Sequence, residues 1–181
     1  HGSDASTGAV APAIQLSTGG RSFTFTLPAG QTQTSNVLIQ TGTVAGTITL
    51  TTALNAGGTP VTCSCSLVQT LRVPRAAPVI SGVRVTRTAN GFSLVITGFS
   101  STREITRGVF RFSGTTGLQT NEIIVPFTDV FNNYFRGNSE VGGQFVVTMP
   151  FVIQGDTSAV TSVSVILSNA QGDSQAVSAT L

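Results

Sequence analysis

The chain has 181 residues with 40% hydrophobic content, nine Arg and no Lys, seven acids, no Trp, and one His at position 1. That much apolar material excludes disorder as the main state, and so few bases, nucleophiles and metal ligands argue for folding and contact rather than catalysis. Residues 1–77 carry Arg21, Arg72 and Arg75 against Asp4, while residues 78–181 balance six Arg with six acids; no clustered positive face is available to neutralise phosphates, so nucleic acid is not an expected partner.

No run approaches the roughly 18 apolar residues that a membrane span requires. The chain is therefore read as soluble, without membrane insertion and with any export signal already removed. The N-terminal stretch Ser3 to Pro12 is small and polar, and Ile14 and Leu16 then begin an apolar alternation. This is either the first strand of its own sheet or a strand donated to a neighbouring subunit.

Period-two alternation recurs from there on, which predicts half-buried strands. Arg21–Leu27 places Phe23, Phe25 and Leu27 opposite Ser22, Thr24 and Thr26, and Gly46–Leu54 sets Ile48, Leu50 and Leu54 against Thr47, Thr49 and Thr51. Pro28–Gln31 and Asn55–Gly58 read as turns, because Pro presets φ and Gly tolerates positive φ. Val61–Val73 is the longest alternation, with Cys63 and Cys65 on its apolar face. Their Cα atoms would lie about 6.6 Å apart, at the upper edge of disulfide geometry. Buried small hydrophobes, a strained disulfide, and a metal or redox pair all stay open as readings of the two cysteines.

The segment Val73-Pro74-Arg75-Ala76-Ala77-Pro78 reads as a short linker that limits the freedom of two domains, 1–77 and 78–181. Beyond it Val79, Val83 and Val85 lead to a hairpin signal at Ala89-Asn90-Gly91 and on to Phe92, Leu94 and Ile96. Further strands are predicted over 108–112, 122–127, 144–153, 159–167 and 175–181. Thr128–Gly137 breaks the pattern with apolar residues three to four apart, a cap-like Thr and Asp, and a terminal Gly, which predicts a short helix. Phe131 and Phe135 would plug the open end of a sandwich, with Tyr134 a conceivable ligand platform. The fold class is all-β: two antiparallel immunoglobulin-like β-sandwiches in tandem.

Pro28-Ala29-Gly30-Gln31-Thr32 with Leu38–Thr51, and Gly155–Val165 with Ser168-Asn169-Ala170-Gln171-Gly172, resemble immunoglobulin-like repeat modules of large secreted or surface proteins from environmental bacteria. The resemblance spans most of both halves. It implies a bacterial, extracellular or cell-surface module, secreted, with a structural or adhesive role, and it carries no catalytic residues, cofactor or metal.

The chemistry-bearing residues accord with that non-enzymatic expectation. His1 has no second His for a copper site or a triad. Glu104, Glu122, Asp129 and Glu140 are the carboxylates that glycoside hydrolysis would need, but they fall near strand ends and loops. Asp156 and Asp173 are too isolated to supply calcium's six to eight oxygens. Arg103, Arg107 and Arg111 could grip an anionic polysaccharide, or act as edge charges paired with Glu104 or Glu122. The expected partners are accordingly other protein modules or a cell-surface polymer, with polysaccharide binding as accessory module of a secreted enzyme, and self-association as filament subunit, as the alternatives. The absence of Lys removes the Lys–Asn crosslinks that stabilise some surface fibres.

Overall fold

A computed structural model describes residues 14–62, 67–114, 121–154 and 156–181. The chain divides into two compact units, His1–Pro74 and Arg75–Leu181. Cys63, Cys65, His1 and Ser3–Pro12 lie outside the described residues.

In the first unit the described strands pair two by two, all antiparallel. β1 (Gln15–Leu16) pairs with β2 (Ile39–Gln40), β3 (Gly46–Thr51) with β6 (Val68–Val73), and β4 (Asn55–Ala56) with β5 (Thr59–Pro60). The β4–β5 hairpin turns at Gly57 and Gly58, both at positive φ (57° and 83°), which is the requirement of a two-residue type I′ loop. The predicted turn at Pro28 closes with Gln31 N donating to Pro28 O at 3.0 Å. Buried hydrophobics among the described residues are Ile14, Val44, Ala45 and Ile48.

The strand expected over Arg21–Leu27 does not form. Residues 22–27 join no ladder among the described residues, although the Phe23 and Phe25 rings lie 5.7 Å apart. Alternation supplies a strand with its faces but not with its partner, and no segment among the described residues pairs with this one.

The second unit is a two-layer β-sandwich. One sheet is ordered β11-β8-β7, from β7 (Val79–Thr88), β8 (Gly91–Phe99) and β11 (Gln144–Val152). The other is ordered β10-β9-β12, from β9 (Arg107–Gly114), β10 (Glu122–Pro126) and β12 (Val160–Asn169), with β14 (Val177–Thr180) and the short β13 (Gly172–Asp173) both pairing with β12. All pairings are antiparallel. The inward parity of each strand fills one core: Phe92, Leu94 and Ile96 from β8, Phe110 and Phe112 from β9, Phe145 and Phe151 from β11, and Val163, Val165 and Leu167 from β12. Gly91 begins β8 because backbone passes against it there; a Cβ would stand 1.8 Å from Phe151 O.

Helix α1 (Thr128–Gly137) occupies its predicted span between β10 and β11. Phe131 and Phe135 insert into the core, where Phe131 meets Phe127 and Phe145 edge-on at 5.5 and 5.2 Å. Its start differs from the sequence expectation: Phe127 is the N-cap and makes no side-chain cap bond, and the Thr128 hydroxyl instead reaches back to Thr106 O. A second difference lies in β7. Val79 shares sequence parity with Val83 and Val85 but is exposed while they pack on the core, because the register shifts between Ile80 and Gly82. A bulge of one residue exchanges the faces of everything beyond it.

The residues before β7 belong structurally to this unit. Ala76 N donates to Ser101 Oγ at 2.9 Å, and Asn169 Nδ2 donates to Ala76 O at 2.9 Å.

Candidate interaction surface

Strand β9 turns Gly108, Phe110 and Phe112 inward, so Arg107, Val109 and Arg111 share the outer face of the larger sheet. The register sets Ile124 of β10 and Ile166 of β12 on either side of Val109. None of the three packs on the core. Ile124 is 57% exposed, whereas Val109 between its two neighbours is buried. The outer face therefore carries a short apolar row across three strands.

An ion pair borders this row on each side. Arg111 sits opposite Glu122, with Nε donating to Oε2 at 2.6 Å. Arg107 donates from Nε to Ser168 Oγ at 3.1 Å and from Nη2 to Asp173 Oδ1 at 3.4 Å. The Ser168 hydroxyl donates to the same carboxylate at 2.5 Å. That hydroxyl, followed by the Arg107 guanidinium, holds the Asp173 carboxyl below its ordinary value of 3.8 despite some desolvation. Such solvent-screened pairs add little to stability; their larger effect is to fix the orientation of four charges around an apolar strip. The arrangement offers shape and fixed charge for contact.

Arg103, grouped with Arg107 and Arg111 by sequence, is not an edge charge. It is buried in the β8–β9 connection at φ 54°, uncommon for a residue with a Cβ. Its guanidinium lies over the Phe135 ring at 5.7 Å and donates from Nη2 to Phe135 O. Asn138 Nδ2 donates to Tyr134 O at 2.8 Å. Together these side chains satisfy carbonyls in the last turn of α1, which have no partner within a helix.

The remaining candidates are dispersed. Tyr134 packs against Phe131 and Phe135 with ring centroids at 6.2 and 5.3 Å, as part of the plug rather than as an open platform. Glu122 is committed to Arg111, Glu104 lies in the β8–β9 connection, and Asp129 and Glu140 are exposed on α1 and the single-turn helix after it. Asp156 accepts from Ser158 N at 2.8 Å and Ser158 Oγ at 2.6 Å, which hold its carboxyl below 3.8 with help from Arg87. Among the described residues no three of His, Cys, Asp and Glu converge as metal ligands, and no helix is long and apolar enough to cross a membrane.

Two residues the sequence reading passed over carry much of the cross-bracing. Arg87, over the Phe92 ring at 5.7 Å, donates from Nη1 to Thr157 O and from Nη2 to Val160 O, the latter at 2.7 Å. Buried Asn169 donates to Ala76 O and to Thr102 Oγ1 at 3.0 Å, and accepts from Gln171 N at 2.8 Å. An Arg at inward parity near a strand end, and an Asn flanking a Gly turn, are the signals that could have found them.

These features define the second unit as a β-sandwich with a braced core and a mixed apolar and charged outer face. No protein-family model matches the chain, and no curated protein matches it.

Proposed function

We propose that the chain is a non-enzymatic, extracellular module of a bacterial surface or secreted protein, with a structural or adhesive role, and that its second unit is an immunoglobulin-type sandwich. The topology supports the fold half of this reading. Three strands, β7, β8 and β11, face a larger sheet whose centre is β9 and β12, and the chain alternates between sheets as such sandwiches do. The fourth strand, β10, pairs with β9 instead of joining β11, which separates this unit from the constant-domain arrangement.

The observation that carries the functional half is the commitment of the polar groups. Arg87, Arg103, Arg107, Arg111, Glu122, Asp156, Asp173 and Asn169 all bond within the unit, serving rigidity and surface rather than a reacting centre. The test is adhesion of the purified chain to bacterial cells, to isolated envelope polysaccharide and to envelope protein, by biolayer interferometry. Saturable binding to an envelope preparation, or none combined with a high unfolding force in single-molecule pulling, is expected for an adhesive or a structural module respectively. Turnover of a glycan or peptide substrate overturns the proposal.

A further inference from the structure

We infer that the segment Ser22–Leu27 is a homotypic pairing strand, whose partner is the same segment of a second copy of this chain. The inference concerns the first unit alone and does not depend on the functional reading above.

Three observations carry it. The segment belongs to no helix or strand of the unit, its Phe23 and Phe25 rings lie 5.7 Å apart and tilted by 36°, and Phe23 and Leu27 are 38% and 41% exposed. Among the described residues its backbone joins no ladder and makes no turn bond, and a row of N–H and C=O groups without such a partner is a template for another strand. Finally, the sequence from residue 22 to residue 71 contains no Asp, Glu, Lys or Arg. The devices that ordinarily blunt an exposed strand, charges or a Pro within it, are all missing from Ser-Phe-Thr-Phe-Thr-Leu. A short, uncharged run of β-formers without Pro or Gly is also the pattern that pairs with itself.

The neutrality selects the occupant. A charged partner would find nothing complementary along fifty residues of chain, whereas a second copy meets no like charge. Antiparallel pairing centred on Phe25 sets Phe25 against Phe25, Phe23 against Leu27, and Thr24 against Thr26, an isologous contact that closes at two copies. It sets the apolar side chains of 22–27 beside one another as cross-strand pairs and satisfies the backbone groups on the edge that faces the partner.

Light scattering coupled to size-exclusion chromatography, on the full chain over a concentration series, tests this with two double variants. One carries Thr24→Glu and Thr26→Glu, the other Thr24→Lys and Thr26→Lys. The wild type is expected to pass from monomer to dimer as concentration rises. Each variant alone sets like charges directly opposite one another and is expected to dimerise at least about tenfold more weakly. Mixing the two in equal amounts restores the dimer, which also shows that both variants are folded. A wild type that stays monomeric throughout, variants that dimerise as the wild type does, or a mixture that remains monomeric overturns the proposal.

Discussion

Replacing Phe131 by Ala tests whether helix α1 is a plug in the core or a lid on the surface. The ring is 1% exposed and is surrounded by Phe127, Tyr134, Phe135 and Phe145 at centroid distances of 5.2 to 6.2 Å. Losing a buried Phe costs about 3–5 kcal/mol once the cavity left behind is included, and the two edge-on pairs, each worth about 0.5–1.5 kcal/mol, place this site at the upper end. For a unit of this size, 3 kcal/mol corresponds to a fall in Tm of roughly 12 °C or more. Urea denaturation followed by far-ultraviolet circular dichroism reads the change, with the transition of the second unit shifting and that of the first unchanged. Val130→Ala is the control: the preceding residue is 51% exposed, so its loss is expected to stay within about 0.5 kcal/mol. A Phe131→Ala cost below about 1 kcal/mol, or one equal to that of Val130→Ala, would refute the placement of the ring in the core.

Arg103→Ala keeps the positive φ and removes the bonds to the end of α1, whereas Arg103→Gly removes the same bonds but relieves the backbone; the Gly variant is expected to be about 1 kcal/mol the more stable of the two in urea titrations, both lying below the wild type. Gly91→Ala drives a Cβ against the Phe151 carbonyl, and a loss of about 1–3 kcal/mol is expected by the same measurement. Asp156 and Asp173 have folded pKa values below the unfolded value, so the unfolded chain takes up their protons first. Their contribution to stability is present above pH 3.8 and lost as pH falls through the lowered values. A melting series from pH 5 to strongly acid conditions should show this loss, reduced in Asp173→Asn.

Much of the second unit was legible because its signals are local. Helix α1 announced itself by spacing and by a terminal Gly, and the inward parity of β8, β9 and β12 follows from alternation alone. What alternation hides is any event that changes parity or needs a partner. The bulge at Ser81 moved Val79 to the outer face with no mark in the composition. Ala89-Asn90-Gly91 located the β7–β8 hairpin, yet Asn90 is not at positive φ, so the turn forms without the left-handed pair that makes Asn-Gly a strong signal. The apolar row Ile124, Val109 and Ile166 was invisible because it lies across strands and exists only in their register. Arg103 was misread because a helix end has no sequence distance from the loop that caps it. In the first unit, the alternation of residues 21–27 predicts a half-buried strand, whereas 22–27 join no ladder among the described residues and only Phe25 is partly buried.

The bonds of Ala76 to Ser101 and Asn169 fix where mechanical load enters the second unit. Tension arriving through Arg75 meets these two bonds before it reaches Val79, the end from which β7 would otherwise peel away from β8 one hydrogen bond at a time. Because Asn169 closes β12, a strand paired on both sides, the pull is delivered first to the middle of the larger sheet and only afterwards to the exposed edge of the smaller one.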